Sequence, residues 1–199
     1  AKAGRSVILV EEEAAVGGAC VSRGTIPSKT LRETALALSS FRRRSGAVFE
    51  VEVRPEMQVR SLMLRLEAVI SAHERFMAQQ LERNHVTLLH GRARFLSPRE
   101  VEVRTLRGDR RAIRAGVLVI ATGSRPRCPP DVPLDHENIL DSDSILSMTY
   151  LPRTLAVLGG GVIASEYASI FAALGVRVTM IDKAPRPIAF LDPELTQRF

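Results

Sequence analysis

The strand-like run Thr154-Leu155-Ala156-Val157-Leu158 leads straight into Gly159-Gly160-Gly161-Val162-Ile163-Ala164, which has the spacing G-x-G-x-x-G/A. Each small residue there has a physical task. Gly159 permits a tight turn, and Gly161 lets the backbone approach a pyrophosphate. Ala164 keeps the following helix close to its strand, and the N-terminus of that helix offers free N–H groups to an anion. Ser165 to Leu174 continues as a helix, Gly175 ends it, and Val176 to Ile181 reads as the next strand. Asp182 follows that strand, 23 positions after Gly159, where a carboxylate that accepts ribose hydroxyls belongs. These residues predict dinucleotide binding; a purely structural glycine turn is the alternative. Asp182 favours NAD and repels a 2′-phosphate, while Lys183 and Arg186 either moderate that repulsion or form a solvated turn. Both NAD and NADP therefore remain admissible.

Other chemistries are poorly supplied. The two cysteines, Cys20 and Cys128, make no disulfide framework and no paired metal knuckle. His73, His85, His90 and His136 have no zinc-type spacing, so no metal site is expected. The net charge of +6 comes almost wholly from arginine, clustered at Arg42-Arg43-Arg44 and between Arg107 and Arg114. No nucleic-acid motif accompanies these clusters, which read as solvated surface, and no nucleic-acid partner is expected. No apolar run is long enough to span a bilayer, so no membrane association is expected. An extended apolar leader is absent from the first residues, which favours a cytoplasmic location.

The elements that must hold these residues alternate between strand and helix. Ser6-Val7-Ile8-Leu9-Val10 reads as a buried parallel strand ending in Glu11, Glu12 and Glu13. Gly17-Gly18 supplies a loop of close backbone approach. Ile26-Pro27-Ser28-Lys29 opens a helix through about Arg42, with Leu31, Ala35 and Leu38 as its apolar stripe. A longer helix spans about Glu56 to Arg83, from the helical spacing of Val59, Leu62, Met63, Leu66, Val69, Ile70, Phe76 and Met77. Its methionines read as core filler and His73 as a helix-face residue. Beyond Asn84 the period changes to that of strands, at Val86–Leu89, Arg92–Phe95 and Glu100–Arg104, with a Gly108-Asp109 hairpin turn. Val117–Ile120 is predicted as another buried strand, running into Ala121-Thr122-Gly123. Pro126, Pro129, Pro130 and Pro133 then exclude regular structure. A domain boundary is placed at 145–150.

The segment Gly17-Gly18-Ala19-Cys20-Val21-Ser22-Arg23-Gly24-Thr25-Ile26-Pro27-Ser28-Lys29 resembles the active-site segment of the flavin-dependent pyridine nucleotide-disulfide oxidoreductases. Thr25 stands where the disulfide-reducing members carry the second of two cysteines. Within that family the pattern is most similar to the soluble pyridine nucleotide transhydrogenases of bacteria. The same resemblance runs through Glu82-Arg83-Asn84-His85, Asp141 to Met148, Glu166 to Phe171 and Ala189-Phe190-Leu191-Asp192.

The resemblance implies an α/β fold with two Rossmann-like, three-layer dinucleotide-binding domains, both incomplete here. Residues 1–148 would bind FAD, lacking the first strand and its glycine motif, and residues 149–199 would begin the NAD(P) domain. Glu11 would hold the FAD ribose, Gly17, Gly18 and Cys20 would line the flavin, and Ala121-Thr122-Gly123 would cover it. Thr25 and Lys29 would sit at the reactive face, with Lys29 paired to Glu166. The implied activity is hydride transfer between NADPH and NAD through FAD, the Si-specific transhydrogenase reaction. The implied full-length protein is a homo-oligomer, and this stretch alone is expected to bind FAD poorly and turn over little. A flavin-dependent reductase of a quinone, metal ion or disulfide, and a non-catalytic nucleotide-binding remnant, are the alternatives.

Overall fold

A computed structural model describes residues 1–45 and 55–198; the parts of the expected domains at 46–54 and Phe199 lie outside them. The element order is β1 (Val7–Glu11), α1 (Gly18–Ser22), α2 (Thr25–Ser45), α3 (Pro55–Arg83), β2 (Val86–Ser97), β3 (Glu100–Thr105) and β4 (Arg110–Arg114). A 3₁₀ turn (Ser144–Ser147), β5 (Thr154–Leu158), α4 (Val162–Ala173), β6 (Arg177–Ile181) and α5 (Pro193–Gln197) follow. The fold is α/β, with parallel and antiparallel pairings. It divides into two compact units, one of residues 1–22 and 70–125, the other of residues 23–69 and 126–199.

In the first unit the sheet order is β1-β2-β3-β4. β1 runs parallel to the first five residues of β2, with Glu11 opposite His90. From Gly91 onward β2 changes partner and pairs antiparallel with β3, which pairs antiparallel with β4. The two strand segments expected at 86–89 and 92–95 are thus one twelve-residue strand. Gly91 is required at the change-over, because a Cβ there would lie 2.5 Å from the Arg104 carbonyl oxygen. Alternation on β3 buries Val101 and Val103 on one face, as a half-covered antiparallel strand should.

The expectation of buried strands at Val7–Val10 and Val117–Ile120 is corrected. Val7 and Ile8 are 37% and 46% exposed, and Val117 and Val119 are 80% and 81% exposed. Residues 117–120 join no ladder, although β1 does. An apolar run signals burial only where neighbours cover it, and among the described residues no strand pairs with 117–120. Phe76 and Met77 of α3 are likewise exposed rather than core. Met77 helps line an apolar cleft of about 390 Å³ with Leu9, Val16, Gly17, Leu81 and Val86.

In the second unit α2 and α4 pack together, and β5 pairs parallel with β6, Leu158 opposite Ile181. Leu31 and Ala35 of α2 and Tyr167, Ala168, Ile170 and Phe171 of α4 are buried. Burying a side chain such as Ile170 stabilises the fold by about 1.5–3 kcal/mol. The buried hydroxyls of α2 are satisfied locally: Ser28 Oγ donates to the Thr25 carbonyl and Thr30 Oγ1 to the Ile26 carbonyl. Gly175 (φ +93°) ends α4, the conformation that favours glycine after a helix. Residues 126–140 contain no helix or strand, in keeping with their prolines.

Candidate functional site

The turn from β5 into α4 has the form its sequence predicts. Gly159 takes φ +117° and donates its N–H to the Ile181 carbonyl at 2.8 Å, tying the turn to β6. Gly161 is the N-cap of α4 and has no side-chain cap, and nothing lies within 4 Å of the position its Cβ would take. A twelve-residue helix thus begins at an N-cap without a side-chain cap, the kind of terminus where a phosphate would gain both hydrogen bonds and the helix dipole. Ala164 lies in the first turn, and a Cβ on Gly159 would meet its methyl at 3.9 Å, which is ordinary contact.

The tightest glycine is one that motif reasoning left unassigned. Gly160 is buried, and a Cβ on it would lie 2.6 Å from Asp182 Oδ2. That carboxylate cannot simply swing away, because its Oδ1 accepts the Ala184 N–H at 2.8 Å. The end of β6 therefore rests on the glycine turn, and Asp182 stands beside it. The available signal was the run of three glycines, since the motif itself leaves its second position free.

The loop after Asp182 is also fastened to the turn. Ile188 N–H donates to the Gly160 carbonyl at 2.6 Å with Ile188 at φ +49°. A β-branched residue in this region costs about 1–3 kcal/mol, so the surrounding contacts must hold it there. Arg186 Nη2 donates to the carbonyls of Ala189 and Leu191, at 3.1 and 3.3 Å.

On α2, Lys29 Nζ forms an ion pair with Glu166 Oε1 of α4, joining residues 137 apart in sequence. The Lys29 side chain is 56% exposed and that of Glu166 17%, so the carboxylate is anchored and the ammonium is presented. Two neighbouring contacts brace this end of the helix pair. Arg23 and Asp143 form an ion pair at 3.6 Å, and the Tyr167 hydroxyl donates to the Ser142 carbonyl at 3.4 Å. Burial pushes the Tyr167 phenol up to about 12, with Glu166 and Asp143 adding to the shift. Nearby Asp141 is opposed by desolvation, yet hydrogen bonds from the Ser144 N–H and hydroxyl and the Asp143 N–H hold it below the usual carboxylate range. Thr25 is exposed at the start of α2.

The remaining predicted residues lie in the first unit. Glu11 ends β1 and accepts the Glu13 N–H at 3.0 Å. Gly17 (φ +119°) and Gly18 (φ +58°) precede and open α1, so the expected loop runs directly into a short helix. A Cβ on Gly17 would lie 2.5 Å from Val21 Cγ2, whereas Gly18 faces open space. Cys20 is exposed and free. Ala121, Thr122 and Gly123 are exposed, with Gly123 at φ +68°. Among the described residues no three His, Cys, Asp or Glu side chains could hold a metal ion.

Each unit, taken by itself, has a strand-end carboxylate and a glycine turn, and the second also carries an ammonium paired with a carboxylate; these are residue types that dinucleotide sites use. The sequence profile of the pyridine nucleotide-disulphide oxidoreductases matches residues 1–199. The chain belongs to this family. A soluble pyridine nucleotide transhydrogenase of Mycobacterium bovis (strain BCG / Pasteur 1173P2) is 40% identical over 198 residues, 99% of this chain and 42% of that protein. One from Marinobacter nauticus is 40% identical over 197 residues, again 42% of its length. This pyridine nucleotide-disulphide oxidoreductase chain thus spans about two-fifths of these relatives. Its fold is also that of the HOCl-induced flavoprotein disulfide reductase RclA of Escherichia coli, with TM-score 0.80 and 27% identity over 98% of this chain and 41% of that one. LpdA of Mycobacterium tuberculosis matches with TM-score 0.79 and 25% identity over 90% and 39%. Among the described residues no helix is long and apolar enough to cross a membrane.

Proposed function

We propose that these residues belong to a flavoprotein that moves hydride between NADPH and NAD through FAD, the Si-specific transhydrogenase reaction. The observation that carries this reading is Thr25, five positions after Cys20. The disulfide-reducing members of the family, on the resemblance stated above, place their second cysteine there. A threonine cannot complete a redox disulfide, so no sulfur relay is available in this segment. The 40% identity to proteins named soluble pyridine nucleotide transhydrogenase supports the same reading.

When bound, FAD supplies acceptance and return of a hydride. The chain supplies binding, orientation and charge. In this reading Glu11 accepts hydrogen bonds from the FAD ribose, Gly17, Gly18 and Cys20 line the flavin with Thr25, and Ala121, Thr122 and Gly123 cover it. Lys29, steadied by Glu166, sets positive charge beside the ring. Gly159, Gly161, Ala164 and Asp182 hold the nicotinamide nucleotide. Residues 1–148 then form part of an FAD domain and 149–199 the start of an NAD(P) domain. A cytoplasmic homo-oligomer using only nucleotide partners completes the proposal.

The test is expression of the full coding region that contains these residues. Stoichiometric flavin absorbance is expected, together with NADPH-dependent reduction of thio-NAD that needs no dithiol. A colourless product, or one that turns over only with a dithiol, would sink the reading.

A further inference from the structure

Within the proposed nicotinamide-nucleotide site, on whose reading this inference rests, we infer that Lys183, and not Arg186, is the residue that admits a 2′-phosphate. Both cations follow Asp182 closely in sequence, and either could offset its repulsion of a phosphorylated ribose. The structure separates them. Arg186 is half-buried, and its Nη2 is already donated to the carbonyls of Ala189 and Leu191. Turning that guanidinium toward a ligand would leave both carbonyls without it. It would also loosen a loop that carries Ile188 in the left-handed region and donates the Ile188 N–H to Gly160. Arg186 therefore works as a strap across residues 186–191.

Lys183 has no such duty. It is exposed beside Asp182, and among the described residues it makes no hydrogen bond or ion pair. Its ammonium can approach a ribose phosphate without breaking anything. Asp182 is differently placed: Ala184 N–H holds one oxygen, and the other rests against Gly160. The carboxylate is thus fixed toward the glycine turn, while the neighbouring cation is free to follow the ligand. This arrangement favours the unphosphorylated ribose and tolerates the phosphorylated one through a single mobile charge.

Titration of the product of the full coding region that contains these residues with NADH and NADPH, followed by nicotinamide fluorescence, tests the assignment. An exposed ion pair is worth up to about 1 kcal/mol, so Lys183→Gln should raise the Kd for NADPH about fivefold. The Kd for NADH should stay within about twofold. Arg186→Gln should leave the ratio of the two Kd values within about twofold, while exposing residues 186–191 to limited proteolysis. Competition by 2′,5′-ADP against 5′-AMP gives a second measurement on Lys183→Gln alone, should Arg186→Gln misfold. Selective loss of NADPH in Arg186→Gln, or an equal loss of both nucleotides in Lys183→Gln, would overturn the assignment. If the unaltered full-length protein binds neither nucleotide, nor either competitor, the dinucleotide reading itself fails and the assignment falls with it.

Discussion

Gly17 and Gly159 have nearly the same φ, +119° and +117°, and each begins a glycine turn leading into a helix. Their surroundings differ. Beyond Gly17 the crowding comes from Val21, a side chain of the same short helix α1. Beyond Gly159 it falls one residue later, on Gly160, and comes from Asp182 at the end of the neighbouring strand. The first turn is tight for the sake of its own helix. The second is tight because a carboxylate suited to a ribose rests on it. Two similar glycine signatures thus serve different ends, and substitutions should tell them apart.

The largest stability effect is expected at Gly17→Ala. The left-handed φ costs about 1–2 kcal/mol for any residue with a Cβ, and overlap with Val21 adds about 1–3 kcal/mol. Urea unfolding should show the sum, and adding Val21→Ala should recover only the overlap part. If the single substitution is neutral, the crowding described here is wrong. Gly160→Ala should cost about 1–3 kcal/mol, because its φ is ordinary and only the overlap with Asp182 matters. Its larger consequence is a displaced Asp182 carboxylate, read as weaker NADH binding.

Gly161→Ala reverses that balance. Its backbone is extended (φ −77°) and open, so stability should stay within about 0.5 kcal/mol. If this turn is the proposed phosphate approach, a methyl there should still weaken NADH binding about tenfold or more. Loss of stability with unchanged binding would assign that turn to structure alone. Lys29→Met should change stability by less than about 1 kcal/mol, given its exposure. If the proposed flavin reading is right, in the full-length protein it should lower flavin reduction by NADPH far more than it lowers the unfolding midpoint.

The smallest effects are those of pH. Tyr167 has its folded value raised from 10.0 to about 12. Its contribution is whole below pH 10 and lost as pH rises through about 12. Asp135 accepts the N–H groups of Glu137, Asn138 and Ile139, with that of Ile139 first in effect, and is lowered to about 2. Its contribution is present above pH 3.8 and lost as pH falls through about 2. Amide exchange at 137–139 in acid would reveal it; protection unchanged down to pH 2 would refute it.

Much of this was legible because local pattern and global structure agree. The apolar spacing of α2 and α3, the β5–α4–β6 unit and the antiparallel meander follow from periodicity and glycine placement. Where the reading failed, the missing information was non-local. Val117–Ile120 has the composition of a covered strand, but composition carries no statement about who its neighbours are. Gly160 looked like an arbitrary member of a motif until Asp182, 22 residues later, was seen against it. The Lys29–Glu166 pair was accessible only through family resemblance, since no spacing rule joins positions on two separate helices.

The change of partner along β2 carries one more consequence. Residues 86–90 keep step with β1, whereas residues 91–97 keep step with β3, and Gly91 marks the seam. Because the Arg-rich hairpin lies beyond that seam, lengthening its turns should leave Glu11 opposite His90. A single residue inserted within Val86–His90 would instead put the residues after it out of step with β1 and turn their side chains to the opposite face. Evolution and protein engineers alike have room to remodel this chain on one side of a glycine and almost none on the other.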